Sequence, residues 1–102
     1  MKLRWMPTAN RSYEYIMTCA TEFYGKTTLR KLSVAIKNAE RLLLTNPYMG
    51  NREPLAEGRM FEYRSIELPS PFKLIYTIYE DAIYIADIWD TRQSPDKLVN
   101  KL

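Results

Sequence analysis

The segment Phe72-Lys73-Leu74-Ile75-Tyr76-Thr77-Ile78-Tyr79 is the most strand-like stretch of the 102-residue chain. It is rich in β-branched and aromatic side chains, which pleated strands accommodate best. Glu80-Asp81 then forms a two-residue connection, and residues 82–89 have a similar composition, which predicts a second strand paired with the first. Upstream, residues 60–68 suit a third strand and Pro69-Ser70-Pro71 suits the turn that follows it. The three segments therefore predict an antiparallel meander.

Two helical patterns precede the meander. Apolar side chains recur every three or four residues over positions 9–24 and again over positions 29–43, the spacing that places them on one face of a helix. Thr8 is the expected N-cap of the first helix, and Gly25 is expected to end it in a left-handed conformation. Asn46-Pro47 ends the second helix, because a residue before proline avoids helical backbone angles. The short link between the two patterns predicts an antiparallel helix hairpin.

A short strand is expected ahead of the helices. Residues 2–6 alternate polar and apolar side chains, and Pro7 is expected to end this strand. The strand suits an edge of the meander, and the helix hairpin suits one face of the sheet. We therefore predict an α+β fold, in which an N-terminal helix hairpin packs on a twisted antiparallel sheet of three to four strands. Residues 1–102 are expected to form a single domain.

Composition excludes several classes of function. The chain has no histidine and a single cysteine, Cys19, so it has no imidazole base and cannot assemble a cysteine-rich zinc site. We therefore expect no metal and no cofactor. No apolar stretch reaches the roughly 20 residues that span a bilayer, and residues 1–12 lack the apolar core of a signal peptide. These features predict a small cytoplasmic protein.

Charge is distributed unevenly along the chain. Residues 1–46 carry eight basic and three acidic side chains, whereas residues 47–102 carry seven basic and nine acidic ones. The basic first half can attract an acidic partner, or its charges can simply form a solvated helix surface. The longest basic run is Arg30-Lys31, which is too short to predict a nucleic-acid-binding tract.

Three cations of the second half are candidates for a shared site. Alternation along the strand places Lys73 on the face away from the helices. If Arg64 and Arg92 converge on that face with Lys73, they form a cationic patch lined by Tyr79. Such a patch suits phosphate, because guanidinium groups bind it through paired donors. The alternative is that each cation pairs with a nearby carboxylate, from Glu62, Glu67 or Asp90.

Four segments of the chain resemble, in their order, a known family of proteins. They are Trp5 to Ala9, Leu44-Thr45-Asn46-Pro47-Tyr48-Met49-Gly50, Tyr63-Arg64 followed by Phe72-Lys73-Leu74-Ile75-Tyr76, and Ile88-Trp89-Asp90-Thr91-Arg92-Gln93-Ser94-Pro95-Asp96-Lys97-Leu98. The last segment is similar to a closing R-x-x-P motif. Together they resemble the RelE/ParE superfamily of toxins from type II toxin–antitoxin modules, whose fold is a helix hairpin on a twisted antiparallel sheet.

The resemblance implies a growth-inhibiting toxin that a cognate antitoxin neutralises. RelE-like members cleave messenger RNA in the ribosomal A site, whereas ParE-like members poison DNA gyrase, and the shared scaffold does not distinguish them. We expect RelE-like mRNA cleavage or a weakened form of it. The alternatives are a ParE-like binder without chemistry of its own and a degenerate member that only binds antitoxin. The antitoxin segment is expected to fold on binding, across the helix hairpin or over the Lys73/Arg92 face.

The same resemblance implies three catalytic residues. Arg64, Lys73 and Arg92 stand where RelE-like endoribonucleases carry the cations that hold the scissile phosphate without a metal. Two positions depart from that pattern, because Ile66 stands where a lysine is expected and Leu98 where a general-acid tyrosine is expected. Loss of a general acid typically lowers the rate by about 10²–10⁴. Both mRNA cleavage and gyrase binding therefore stay open.

Overall fold

A computed structural model describes residues 1–102, which form one five-stranded sheet and four α-helices. No helix combines the length and the apolar character that a membrane crossing requires. In chain order, the elements are β1 (Lys2–Trp5), α1 (Pro7–Cys19), α2 (Thr21–Tyr24), α3 (Lys26–Thr45), β2 (Asn51–Arg52), a 3-10 turn (Pro54–Ala56), β3 (Tyr63–Glu67), β4 (Phe72–Tyr79), β5 (Ala82–Asp90) and α4 (Pro95–Lys101).

The sheet has the strand order β1-β5-β4-β3-β2. Strands β3, β4 and β5 form the predicted antiparallel meander, and β2 adds to its β3 edge, also antiparallel. Strand β1 lies at the other edge and runs parallel to β5. The predicted sheet of three to four antiparallel strands is therefore wrong in strand number and in the direction of this edge. Parallel neighbours need a long connection, and the residues between β1 and β5 provide one.

The helices cover one face of the sheet through a helix-side core. Residues on α1 and α3 pack there against alternate residues of β4 and β5, as the helical and strand periodicities require. This arrangement confirms the predicted α+β layers. The helix-side core includes Ala9, Ile16, Leu29, Leu32, Ile36, Ala39, Leu43, Phe72, Leu74, Tyr76, Ile83, Ile85 and Ile88.

The helix boundaries agree with the sequence at some points and differ at others. Gly25 has the expected positive φ, at 81°, and α3 ends at Thr45, immediately before Asn46-Pro47. The N-cap of α1 is Met6 and not Thr8, because the helix begins at Pro7. A proline suits the first helical position, because a backbone N–H at that position has no hydrogen-bond acceptor within the helix, so its absence costs nothing. The first helical pattern is also interrupted at Ala20, which separates α1 from α2.

The opposite face of the sheet is covered by a second core, which the sequence analysis did not predict. Leu98 of α4 lies in this core with no exposed surface, beside the buried Trp89 of β5. Ile75 of β4 and Ala56 of the 3-10 turn belong to the same core. Helix α4 has only seven residues, which is too few for a helical repeat to be recognisable in the sequence.

We expect Leu98→Ala to lower the free energy of unfolding by about 2–4 kcal/mol, because it empties a fully buried site. The matched control is Leu44→Ala, since Leu44 is 49% exposed at the end of α3 and should cost less than about 0.5 kcal/mol. Urea denaturation measures both. Equal losses for the two variants would contradict the packing of α4 on the sheet.

Candidate functional site

Arg64 lies on β3 and holds the loop after α3 against the sheet. One guanidinium nitrogen, Nη1, donates to the Gly50 carbonyl at 2.7 Å, and Nη2 donates to the Glu62 carboxylate at 3.0 Å. The guanidinium carbon lies 5.2 Å from the centre of the Tyr48 ring, a distance typical of a cation–π contact. Arg64 is therefore engaged by three groups of its own chain.

The loop that Arg64 holds is closed by Tyr76 of β4. The Tyr76 hydroxyl accepts from the Gly50 N–H at 2.9 Å and donates to the Pro47 carbonyl at 2.8 Å. Burial raises the pKa of this hydroxyl, so the hydroxyl stays protonated and can donate to the Pro47 carbonyl. A Cβ at Gly50 would lie 2.8 Å from the Ser65 carbonyl oxygen and from the Tyr76 ring, so the loop approaches the sheet at a distance that only glycine allows.

Lys73 lies on β4 and neutralises a buried carboxylate. Its Nζ donates to Glu53 Oε1 at 3.0 Å, and the Leu55 backbone N–H donates to Oε2 at 3.0 Å. Glu53 is only 2% exposed. Burial alone would raise the pKa of Glu53, but the hydrogen bonds from Leu55 and Lys73 outweigh it and lower that pKa. Glu53 therefore stays charged, and Lys73 is its counter-ion.

Arg92 follows β5 and is the most exposed of the three predicted site residues. Its Nη2 and Nε donate to the two carboxylate oxygens of Asp90 at 3.2 and 3.3 Å, and its guanidinium lies 5.3 Å from the centre of the Tyr24 ring. The Tyr24 hydroxyl donates to the same carboxylate. Burial would raise the pKa of Asp90, but the hydrogen bonds from Arg92 and Tyr24 lower it. The Arg92 side chain nevertheless remains 58% exposed.

The strand register separates the three cations, so the expectation of one shared patch is wrong. Arg64 is paired with Tyr76, which faces the helices, whereas Lys73 is three residues from Tyr76 on the same strand and faces the opposite side. Asp90, which holds Arg92, is paired with Phe72, about 13 Å along β4 from Tyr76. The catalytic roles of the three residues stay a prediction, but the structure does not bring the residues together.

Tyr79 does not line a common site either. It lies at the far end of β4, opposite Ala82 of β5, and packs its ring edge-on against Phe61 at 5.5 Å. Lys73 is at the other end of the same strand. The two residues share a face by alternation, but six positions separate them, which corresponds to about 20 Å of strand.

The architecture matches a solved structure. A chain of the chromosomal ParDE TA system from P. aeruginosa has a TM-score of 0.64 and 20% sequence identity to this chain, and the match covers 86% of this chain and 92% of that chain. The chain shares the fold of that ParDE-system chain. This finding confirms the fold that the four ordered motifs predicted. No family model matches the sequence, and no curated protein matches it.

Two positions at which the sequence departs from the RelE-like pattern have packing roles in this fold. Leu98, at the position of the expected tyrosine, is fully buried in the second core. Ile66, at the position of an expected lysine, packs against the helix-side core beside Leu74. Neither side chain can transfer a proton, so the fold holds no acid or base at these two positions.

A buried ionic network at β5, beyond the residues that pair with β1, was missed by the sequence analysis. Asp87 has no exposed surface and accepts hydrogen bonds from Ser12 of α1 and Lys101 of α4. Burial raises the pKa of Asp87 despite these donors, and Lys101 also lies 5.6 Å from the centre of the Trp89 ring. The available signal was an acidic residue within an apolar strand, because a buried charge needs a partner. The network joins α4 to α1 through Asp87 of β5.

We expect Lys73→Met to lower the free energy of unfolding by about 3 kcal/mol, because it leaves the Glu53 carboxylate buried without its counter-ion. The double variant Glu53→Gln/Lys73→Met should recover most of the loss, since it removes the buried charge together with its partner. Urea denaturation of the two variants and the wild type measures this coupling. If the double variant is no more stable than Lys73→Met, the pairing is wrong.

Glu53 also predicts how stability depends on pH. Its pKa in the folded protein lies below the ordinary value of 4.5, so its contribution to stability is present above pH 4.5 and is lost as the pH falls through the folded pKa. Denaturation at a series of pH values from about 6 to 3 should therefore show a steeper fall for the wild type than for Glu53→Gln. Parallel pH profiles for the two proteins would exclude this role of Glu53.

Proposed function

We propose that this chain is the toxin of a type II toxin–antitoxin module. The observation that carries the proposal is the structural similarity to a chain of a ParDE TA system, which covers most of both chains. Four sequence motifs in the family's order add independent support, because they extend from Trp5 to Leu98. The proposed partners are a cognate antitoxin and a target that the toxin inhibits.

We propose further that the toxin acts as ParE-like members do, by binding DNA gyrase without chemistry of its own. Metal-independent RNA cleavage needs cations and proton-transferring groups around one phosphate. Here Arg64 and Lys73 lie on opposite faces of the sheet, and Leu98 is buried where a general acid is expected. This separation favours a binding mechanism. In the RelE-like alternative, Arg64, Lys73 and Arg92 would be the catalytic residues of an endoribonuclease.

Arg92 is the residue that we propose contacts an acidic group or phosphate of the target. An arginine has five N–H donors, and Asp90 accepts from one N–H of Nε and one of Nη2, which leaves three for a partner. Asp90 and Tyr24 restrict the guanidinium, so less conformational freedom is lost when a target binds. Exposure and preorganisation together make Arg92 the best placed of the three cations.

Expression without antitoxin in bacteria should arrest growth, and Arg92→Ala should relieve the arrest at equal protein levels. The matched control is Arg52→Ala, because Arg52 is also an exposed arginine paired with one carboxylate, that of Glu62. The control should remain toxic. Full toxicity of Arg92→Ala would remove Arg92 from the target contact, and a folded wild-type chain that never slows growth would contradict the toxin proposal in favour of a degenerate member.

The target is tested with purified components. Gyrase, plasmid DNA and the wild-type chain should accumulate cleaved plasmid when the reaction is stopped with detergent, and Arg92→Ala should lower the yield at least tenfold. A parallel reaction with ribosomes and messenger RNA should leave the transcript intact. Cleaved transcript without cleaved plasmid would replace the gyrase proposal by the RelE-like mechanism.

A further inference from the structure

Helix α3 carries a row of four basic side chains along its outer surface. At 100° per residue, Lys26, Arg30, Lys37 and Arg41 fall within about 60° of arc around the helix axis. All four are exposed, and the buried residues of α3 lie on the other side of the helix. The row extends over 15 residues, or about 22 Å. We call these four residues the α3 cationic stripe.

No carboxylate neutralises the α3 cationic stripe. None of its four cations belongs to any of the five salt bridges of the molecule, which involve Arg52, Arg64, Lys73, Arg92 and Lys101. Glu40 is the only acidic residue of α3, and its carboxylate accepts the Trp5 indole N–H at 3.0 Å. The charges of the stripe therefore remain available to an anionic partner.

The composition of the stripe favours the backbone of a nucleic acid over a protein partner. A protein interface has an apolar centre, but the exposed apolar residues of this surface, Val34 and Leu44, are ten positions apart, or about 15 Å. Asn38 lies beside this row, and its amide oxygen accepts a hydrogen bond from Arg41, which leaves its amide N–H groups for hydrogen bonds to phosphate oxygens. Helix α3 contains no aromatic residue, so it offers no surface for stacking the bases of a single strand.

We propose that the α3 cationic stripe binds the phosphate backbone of double-stranded DNA without sequence preference. Four cations in a row along one helix fit a rod of regularly spaced phosphates, and 22 Å corresponds to about six base pairs. A sequence scan for basic runs misses this surface, because the charges are contiguous on the helix and not along the chain. The inference stands on the charge geometry alone and does not depend on toxin activity.

Fluorescence anisotropy of a labelled 20-base-pair DNA duplex tests the proposal directly. If four phosphates are contacted, the logarithm of the association constant should fall with the logarithm of salt concentration with a slope of about −3.6. The association constant then drops about 150-fold between 50 and 200 mM NaCl. In the same assay, an unlabelled single strand and poly-glutamate compete with the labelled duplex, which compares the affinities of the protein for the three anions.

Two variants with equal net charge test whether DNA binding depends on the α3 cationic stripe or only on the overall positive charge of the protein. Lys26→Gln/Arg30→Gln/Lys37→Gln/Arg41→Gln should lose duplex binding and most of the salt dependence. The control, Lys2→Gln/Arg4→Gln/Lys31→Gln/Lys97→Gln, removes four other exposed cations that have no salt bridge and should bind nearly as the wild type does. Circular dichroism confirms folding of each variant. If the first variant does not fold, Lys26→Gln/Arg30→Gln and Lys37→Gln/Arg41→Gln should each halve the slope.

Four outcomes would overturn the proposal. They are the absence of duplex binding at 50 mM NaCl, equal losses in the stripe variant and its control, tighter binding of the single strand, and tighter binding of poly-glutamate. The last result would assign the stripe to an acidic protein segment. These outcomes are independent of the growth assay, because they measure DNA binding by the purified chain and not inhibition of cells.

Discussion

The burial of β4 on both faces is the constraint on which the rest of the molecule depends. Side chains alternate along this strand, so Leu74 and Tyr76 enter the helix-side core while Ile75 enters the second core. Packing therefore determines which face of the sheet each β4 side chain occupies. A one-residue shift of register would bury Lys73 in the helix-side core. The same alternation separates Lys73 from Arg64 and determines which cations share a surface.

Much of the fold could be predicted from composition and periodicity, because strong local preferences agreed with the final packing. The segment of β4 was recognised from its β-branched and aromatic residues, and the end of α3 from Asn46-Pro47. Helix α4 was not, since its role depends on one side chain, Leu98, that meets the sheet only after folding. The parallel pairing of β1 was not predictable either, because no local pattern reports which edge a distant strand will join.

The candidate site was less predictable than the fold, because its residue types were visible but their partners were not. The sequence does not show that Lys73 pairs with Glu53. Glu53 lies in a loop, where no periodic pattern indicates which residues will be neighbours. The β3–β4 register decided that Arg64 faces away from Lys73, and register depends on the whole sheet. Arg92 and the α3 cationic stripe are exposed on the structure, so the proposed contacts of this molecule lie on its surface.

The pairing of β1 with β5 joins the beginning of the chain to a segment near its end. Lys2 lies opposite Ala82, so β1 can pair only after the residues of β5 have been synthesised. Contacts between such distant parts of a chain must overcome a large loss of chain entropy before they form, and they slow folding. The sheet can therefore be completed only after residues 82–85 have left the ribosome.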